Sequence, residues 1–105
     1  MLPSLREKKR YIGFEVISES EIDFKETKEA INSSFRRLVG DFGLAKAGMI
    51  FLKDWKNQKG IIRVANTEVD KLKAAMALVQ DVSGKKVIVR SFAVSGIIEK
   101  IRKKL

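Results

Sequence analysis

Lysine and arginine are the side chains in this sequence best suited to binding a ligand. The 105 residues contain 22 Lys and Arg against 13 Asp and Glu, which gives a formal net charge of +9. Clustered positive charge attracts polyanions, and binding releases counterions from their phosphates. The composition therefore predicts a nucleic acid as the first partner, with a basic surface that binds nothing as the alternative. The positions predicted to contact phosphate are Arg6, Lys8, Lys9, Arg10, Lys56, Lys59, Lys100, Lys103 and Lys104.

Side chains for catalysis are scarce by comparison. The sequence contains no histidine and no cysteine. It therefore lacks the commonest general base, the commonest transition-metal ligand and any thiolate nucleophile. A hydrolase of the Ser-His or zinc type is nearly excluded. We assign no catalytic residue to this chain.

A run of acidic residues near the N-terminus is the remaining candidate for chemistry. Hard cations bind oxygen ligands, so such a run raises the question of a magnesium site. The spacing matches no calcium loop, and Asp23 with Glu26 is typical of the pair that begins a helix. We interpret the run as a solvated acidic edge and predict no metal site. Its members are Glu15, Glu19, Glu21, Asp23 and Glu26.

The hydrophobic pattern predicts one α+β domain over residues 1–105, which begins with a basic leader at residues 1–10. Strands are predicted at residues 11–18, 49–55, 60–66 and 86–94, where apolar residues alternate or branch at Cβ. Helices are predicted from Asp23 to a stop at Gly40, over residues 67–80 with Thr67 as cap, and over residues 96–104 of a basic C-terminal segment (95–105) with Ser95 as cap. A short extra turn of helix is expected over residues 41–48, after the stop at Gly40.

This βαββαβ order is typical of ferredoxin-like and RRM-like sandwiches, with a four-stranded antiparallel sheet and, here, an extra C-terminal helix. Right-handed crossovers place both crossover helices on one face of the sheet. In the second strand we expect Ile50 and Leu52 to point to that face. The other face is predicted to be too apolar to remain uncovered, so the last helix or another subunit should cover it. The predicted partner interface is Tyr11, Met49, Phe51, Trp55, Ile61, Ile88 and Phe92.

The third strand decides how such a domain would bind RNA. An RRM stacks bases on aromatic residues of its central strands. Here the third strand offers Ile61, Arg63 and Ala65 instead. This favours contacts with phosphate and ribose over base stacking on the sheet. Two alternatives stay open: a protein–protein interaction module that does not touch RNA, and a small-molecule regulatory domain of the same ferredoxin-like topology.

Four blocks of the sequence resemble a known family. They are residues 2–18, Gly-Ile-Ile-Arg at 60–63, Ala-Leu-Val at 77–79 and Val-Ser-Gly-Ile-Ile at 94–98. Together they resemble the protein component 2 family of archaeal ribonuclease P, which is related to a subunit of the eukaryotic ribonuclease P and MRP enzymes.

The resemblance implies a non-catalytic subunit of the RNA-based endonuclease that removes 5′ leaders from precursor tRNA. It implies that the RNA holds the active-site magnesium, so no cofactor is expected on this chain. The implied partners are the ribonuclease P RNA, the barrel-shaped component 3 subunit, other ribonuclease P proteins and precursor tRNA, with a homodimer left open. The sequence shows neither a membrane-spanning apolar run nor the apolar core of a signal peptide, so we expect no membrane contact and a cytoplasmic location.

Overall fold

The computed structural model describes residues 8–105 and contains a four-stranded antiparallel sheet between two layers of helix. The order of strands in this sheet is β2-β3-β1-β6, which confirms the predicted α+β sandwich. The elements are β1 (Lys9–Ile17), α1 (Phe24–Ala47), β2 (Ile50–Lys56), β3 (Lys59–Ala65), α2 (Val69–Ala77), β4 (Asp81–Val82), β5 (Lys85–Lys86), β6 (Ile88–Ser95) and α3 (Ile98–Arg102).

The main core lies between the sheet and the helices α1 and α2. Its centre is Phe14 of β1, which is fully buried together with Phe35 of α1 and Leu72 of α2. The two helices are also joined by a hydrogen bond, which the Ser34 hydroxyl donates to the carbonyl oxygen of Ala75 at 2.7 Å. The apolar stripes of both helices thus bury one face of the sheet, as the helical spacing predicts.

A tight hairpin joins β2 to β3 and is fixed to the end of β1. Its two loop residues, Asn57 and Gln58, have positive φ angles of 54° and 58°, as a type I′ turn requires. The Gln58 side-chain amide donates to the carbonyl oxygen of Val16 at 2.8 Å, and its oxygen accepts from the backbone N–H of Ile22 at 2.6 Å. Gln58 therefore positions the hairpin against the loop that leads into α1.

Helix α1 continues past Gly40, in agreement with the extra helical turn expected over residues 41–48. Gly40 has the positive φ expected of a helix stop (78°), but the chain returns to helix after this kink and continues to Ala47. Ala47 is fully buried and Leu44 packs against the core, so packing explains why the helix resumes. No helix within residues 8–105 is both long enough and apolar enough to cross a membrane.

The predicted orientation of β2 is wrong. Phe51 pairs with Ile62, a core residue of β3, and Phe51 and Trp55 both pack against the helix side of the sheet. Ile50 instead is 49% exposed on the other side, opposite Arg63. Both faces of β2 carry apolar side chains, so the alternation alone does not orient the strand.

Several predicted boundaries and caps are also wrong. Thr67 does not cap α2, because a short 3₁₀ turn at Asn66–Glu68 precedes this helix and no side chain caps it. Between α2 and β6 the chain forms the small hairpin of β4 and β5, which the sequence pattern does not predict. Helix α3 is shorter than expected and begins after Ile97, whose N–H donates to the Ser95 hydroxyl.

Candidate nucleic-acid interface

The face of the sheet opposite α1 and α2, called here the outer face, is partly covered by α3. Ile101 of α3 is 1% exposed and Ile61 beneath it is fully buried. The contact is close because Gly13 of β1 has no side chain: an added Cβ would lie 2.7 Å from the Phe92 ring and 2.8 Å from Cγ2 of Ile101. The last helix therefore covers the centre of this face, one of the two arrangements expected from the sequence.

Polar contacts at the rim hold α3 in this place. The Arg102 guanidinium donates two hydrogen bonds to the Asp54 carboxylate, at 3.0 and 3.3 Å. These bonds raise the pKa of Arg102 above its ordinary value, and Tyr11 adds a smaller electrostatic contribution. At the end of the chain, Lys59 donates to the carbonyl oxygen of Lys104 at 3.4 Å and lies 5.7 Å from the centre of the Phe92 ring. Helix α3 is thus attached to both β2 and β3.

The course of this C-terminal segment connects two predicted basic clusters that are distant along β1. Lys9 pairs with Ala65, whereas Lys59 pairs with Glu15. The two pairs are six residue steps apart along β1, about 20 Å. Gly96 lies beside the Arg10 guanidinium, since an added Cβ would be 3.5 Å from Arg10 Nη1. Because Lys104 contacts Lys59, residues 96–104 run from one cluster to the other.

We call this surface the basic track. Its side chains along α3 and the C-terminus are exposed to solvent, and those of Arg10 and Lys59 are half-buried. It contains six of the nine positions predicted to contact phosphate once Lys56 at its hairpin end is included, whereas the ammonium group of Lys9 lies beside Gly48 at the end of α1. Lys8 is exposed next to Lys9, and Arg6 lies outside the described residues. The members are Arg10, Lys56, Lys59, Lys100, Arg102, Lys103 and Lys104.

The predicted partner interface is not a single surface. Met49, Phe51 and Trp55 pack against the helix-side core, and Trp55 stacks on Phe24 with ring centres 4.8 Å apart. Ile61 is fully buried in the other layer, beneath α3. The remaining three residues lie on the outer face, where Ile88 is 62% exposed and Tyr11 and Phe92 are half-buried. Four of the seven predicted residues are therefore used in internal packing.

The acidic run does not form a cation site in this structure. Glu15 accepts a 2.6 Å hydrogen bond from Arg90, and Asp23 accepts one from the backbone N–H of Glu26 at 3.3 Å, as an N-cap does. Within residues 8–105, no group of three or more acidic side chains is arranged to hold a metal ion. Glu15 therefore pairs with an arginine, and Asp23 caps the start of α1.

Two features of the site are missed by sequence reasoning. Arg63 and Arg90 lie on the outer face, paired across the sheet with Tyr11 and Glu15, but neither stands in a basic cluster of the sequence that suggested phosphate contact. The second feature lies on the layer formed by α1 and α2, called here the helix layer. Phe42 is 86% exposed there beside Leu38, and a groove of about 670 Å³ runs between them and Lys71 and Ala74 of α2. The kinked extension of α1 lines this groove. The sequence predicts a short extra turn over residues 41–48 but not how that turn lies against α2.

Comparisons with known proteins agree with the fold. A model of the Rpp14/Pop5 family matches residues 10–105. Ribonuclease P protein component 2 of Pyrococcus abyssi is 41% identical over 103 residues, which cover 97% of this chain and 87% of the relative. The same component of Pyrococcus furiosus is 42% identical, with 97% and 86% covered, and that of Methanosarcina mazei is 34% identical, with 99% and 89% covered.

One solved structure shares the architecture. A chain in the cryo-EM structure of yeast ribonuclease MRP superposes with a TM-score of 0.70 and 16% identity. The match covers 94% of this chain and 92% of that one. At this identity the likeness shows the fold alone.

Proposed function

This chain belongs to the Rpp14/Pop5 family, and we propose that, as a protein subunit of ribonuclease P, it supports the catalytic RNA by neutralising phosphates and docks a second protein. The observation that carries the RNA contact is the basic track. It places lysines and arginines from β1, the β2-β3 hairpin and α3 along one continuous surface. Positive side chains arranged in this way replace condensed counterions along a phosphate backbone.

We infer that bond cleavage itself belongs to the RNA. The chain contains neither histidine nor cysteine, and its carboxylates on the outer face, Glu15 and Asp54, are paired with arginines. These groups are poorly suited to general acid–base catalysis. We propose that magnesium ions are held by the RNA. The cationic protein then neutralises crowded phosphates, so the RNA folds correctly at a lower magnesium concentration. Precursor tRNA is then the substrate of the assembly.

We propose that the helix layer, and not the outer face, docks the protein partner. Phe42 and Leu38 expose apolar surface beside the groove between α1 and α2, and Leu78 of α2 is 61% exposed further along the same layer. Exposed aromatic and aliphatic side chains next to a groove are typical of protein interfaces. The resemblance to component 2 identifies the barrel-shaped component 3 subunit as the partner to test.

The salt dependence of RNA binding tests the proposed function directly. The isolated chain is titrated with ribonuclease P RNA at increasing salt concentrations, and the logarithm of the affinity should fall steeply with the logarithm of salt if several phosphates are contacted. As a control, Lys25, Arg37 and Lys73 are replaced together. These residues are exposed on the helix layer, outside the basic track, so their replacement should leave the slope nearly unchanged. A chain that binds component 3 but shows no affinity for RNA would establish the protein–protein module instead.

A further inference from the structure

Arg63 of β3 is half-buried on the outer face, where it pairs across the sheet with Tyr11. Its Nε atom is buried and has no hydrogen-bond acceptor among these residues. The neighbouring acids are already occupied, since Asp54 pairs with Arg102 and Glu15 pairs with Arg90. A buried donor without an acceptor is costly, so its presence in a folded protein calls for an explanation.

The surroundings of Arg63 resemble a site for an anion with an apolar attachment. Across the sheet, Arg63 lies between Tyr11 of β1 and Ile50 of β2, its two directly paired neighbours. Tyr11 is half-buried, Ile50 is 49% exposed, and α3 packs against β1 and β6. Arg102 extends from α3 to Asp54 on β2 and adds a second guanidinium to this part of the face.

We propose that Arg63 binds a phosphodiester of single-stranded RNA, with the attached nucleotide lying on the partly exposed strip formed by Tyr11, Arg63 and Ile50. The proposal rests on the proposed RNA-binding function and adds a specific site outside the basic track. A guanidinium presents several donors in a planar fork that fits phosphate. Arginine planes and tyrosine rings also support unstacked bases, so a strand that lacks the aromatic residues of an RRM still offers a nucleotide site.

The first test measures the affinity of the full chain for a fluorescein-labelled oligouridylate. Arg63→Met keeps the length of the side chain and removes its charge. We expect the affinity to fall by about tenfold and the salt slope to fall by about one, while the melting temperature does not drop. A structural role for Arg63 would instead lower the melting temperature. The control is Arg37→Met on the helix layer, which should change neither quantity.

The second test uses a substitution that leaves Arg63 in place. Ile50→Glu puts a carboxylate directly opposite Arg63, where paired side chains lie close enough to interact, and this carboxylate should compete with the phosphate. Ile88→Glu makes the same change on the same face, at the exposed edge strand β6. We expect Ile50→Glu to weaken oligouridylate binding several times more than Ile88→Glu does.

The outcomes separate this site from the general function. The Arg63 site is overturned if Arg63→Met and Arg37→Met lose equal affinity for oligouridylate. It is also overturned if Ile50→Glu and Ile88→Glu lose equal affinity. In either case the basic track stands, provided that the unaltered chain binds ribonuclease P RNA. If the unaltered chain binds neither RNA, the proposed function fails as well. An affinity lost only with Arg63→Met and Ile50→Glu supports the site.

Discussion

At the scale of single residues, the polar side chains that matter most are those that hold irregular parts of the chain together. Gln58 is the clearest case, because one amide group connects the β2-β3 hairpin to both β1 and the loop before α1. The backbone of Gln58 also accepts a hydrogen bond from the N–H of Val16 at 2.8 Å. The hairpin carries Lys56 and Lys59, so the position of one end of the basic track depends on this residue.

We predict that Gln58→Ala lowers the free energy of unfolding by about 1–3 kcal/mol, because it removes a donor and an acceptor from partly buried backbone groups. Urea denaturation monitored by circular dichroism measures the change. The control is Gln80→Ala at an exposed loop position, where we expect a change within about 0.5 kcal/mol. Equal losses for the two variants would contradict the role assigned to the Gln58 side chain.

At the scale of elements, α3 shows how far sequence patterns predict this structure. The pattern predicts a basic amphipathic C-terminal helix and a face that needs cover, and α3 with Ile101 fulfils both. It does not predict the short length of α3 or its contact with Gly13, since neither depends on periodicity. Likewise, alternation predicts β2 as a strand but not which side faces the core, because residues on both sides are apolar.

The closeness of α3 to the sheet can be tested at Gly13. We predict that Gly13→Ala lowers the free energy of unfolding by about 1–3 kcal/mol, because the added methyl group overlaps Phe92 and Ile101. Gly96→Ala is the matched control, since its added Cβ meets only the Arg10 side chain, at 3.5 Å and more. Thermal unfolding of both variants gives the comparison, and a Gly13→Ala variant as stable as the parent would show that α3 does not pack as described.

The kinked second half of α1 provides the element-scale test of protein docking. Phe42→Ser removes exposed apolar surface from the groove, so we expect little effect on the folded chain but a loss of about tenfold or more in affinity for component 3. Isothermal titration with purified component 3 measures this affinity. Ile97→Ser is the control, because Ile97 is also an exposed apolar residue (53%) but lies beside α3, away from the groove. If only Ile97→Ser weakens the complex, the docking surface lies near α3 instead.

At the scale of the whole molecule, the sequence predicts the sign of the surface charge better than its geometry. The basic positions at the start, the hairpin and the end of the chain are visible in the sequence, and the structure joins them through the segment from Gly96 to Lys104. The residues of the predicted partner surface do not lie together, because aromatic residues such as Phe51 and Trp55 are equally suited to a core and pack there. The chain thus separates the basic track on its outer side from a groove on its helix layer that exposes Leu38 and Phe42.

This separation leads to a prediction for the assembled enzyme. Charge reversal of Lys100, Lys103 and Lys104 to Glu should reduce cleavage of precursor tRNA by reconstituted ribonuclease P, and most strongly at low magnesium. The reason is that magnesium ions and lysines neutralise the same phosphates, so added magnesium compensates for lost lysines. Lys25, Arg37 and Lys73 changed to Glu provide an equal change of net charge on the helix layer. Cleavage rates across a magnesium titration should separate the two triple variants at the low end and converge at the high end. Identical rates at every magnesium concentration would mean that the basic track does not contact the RNA.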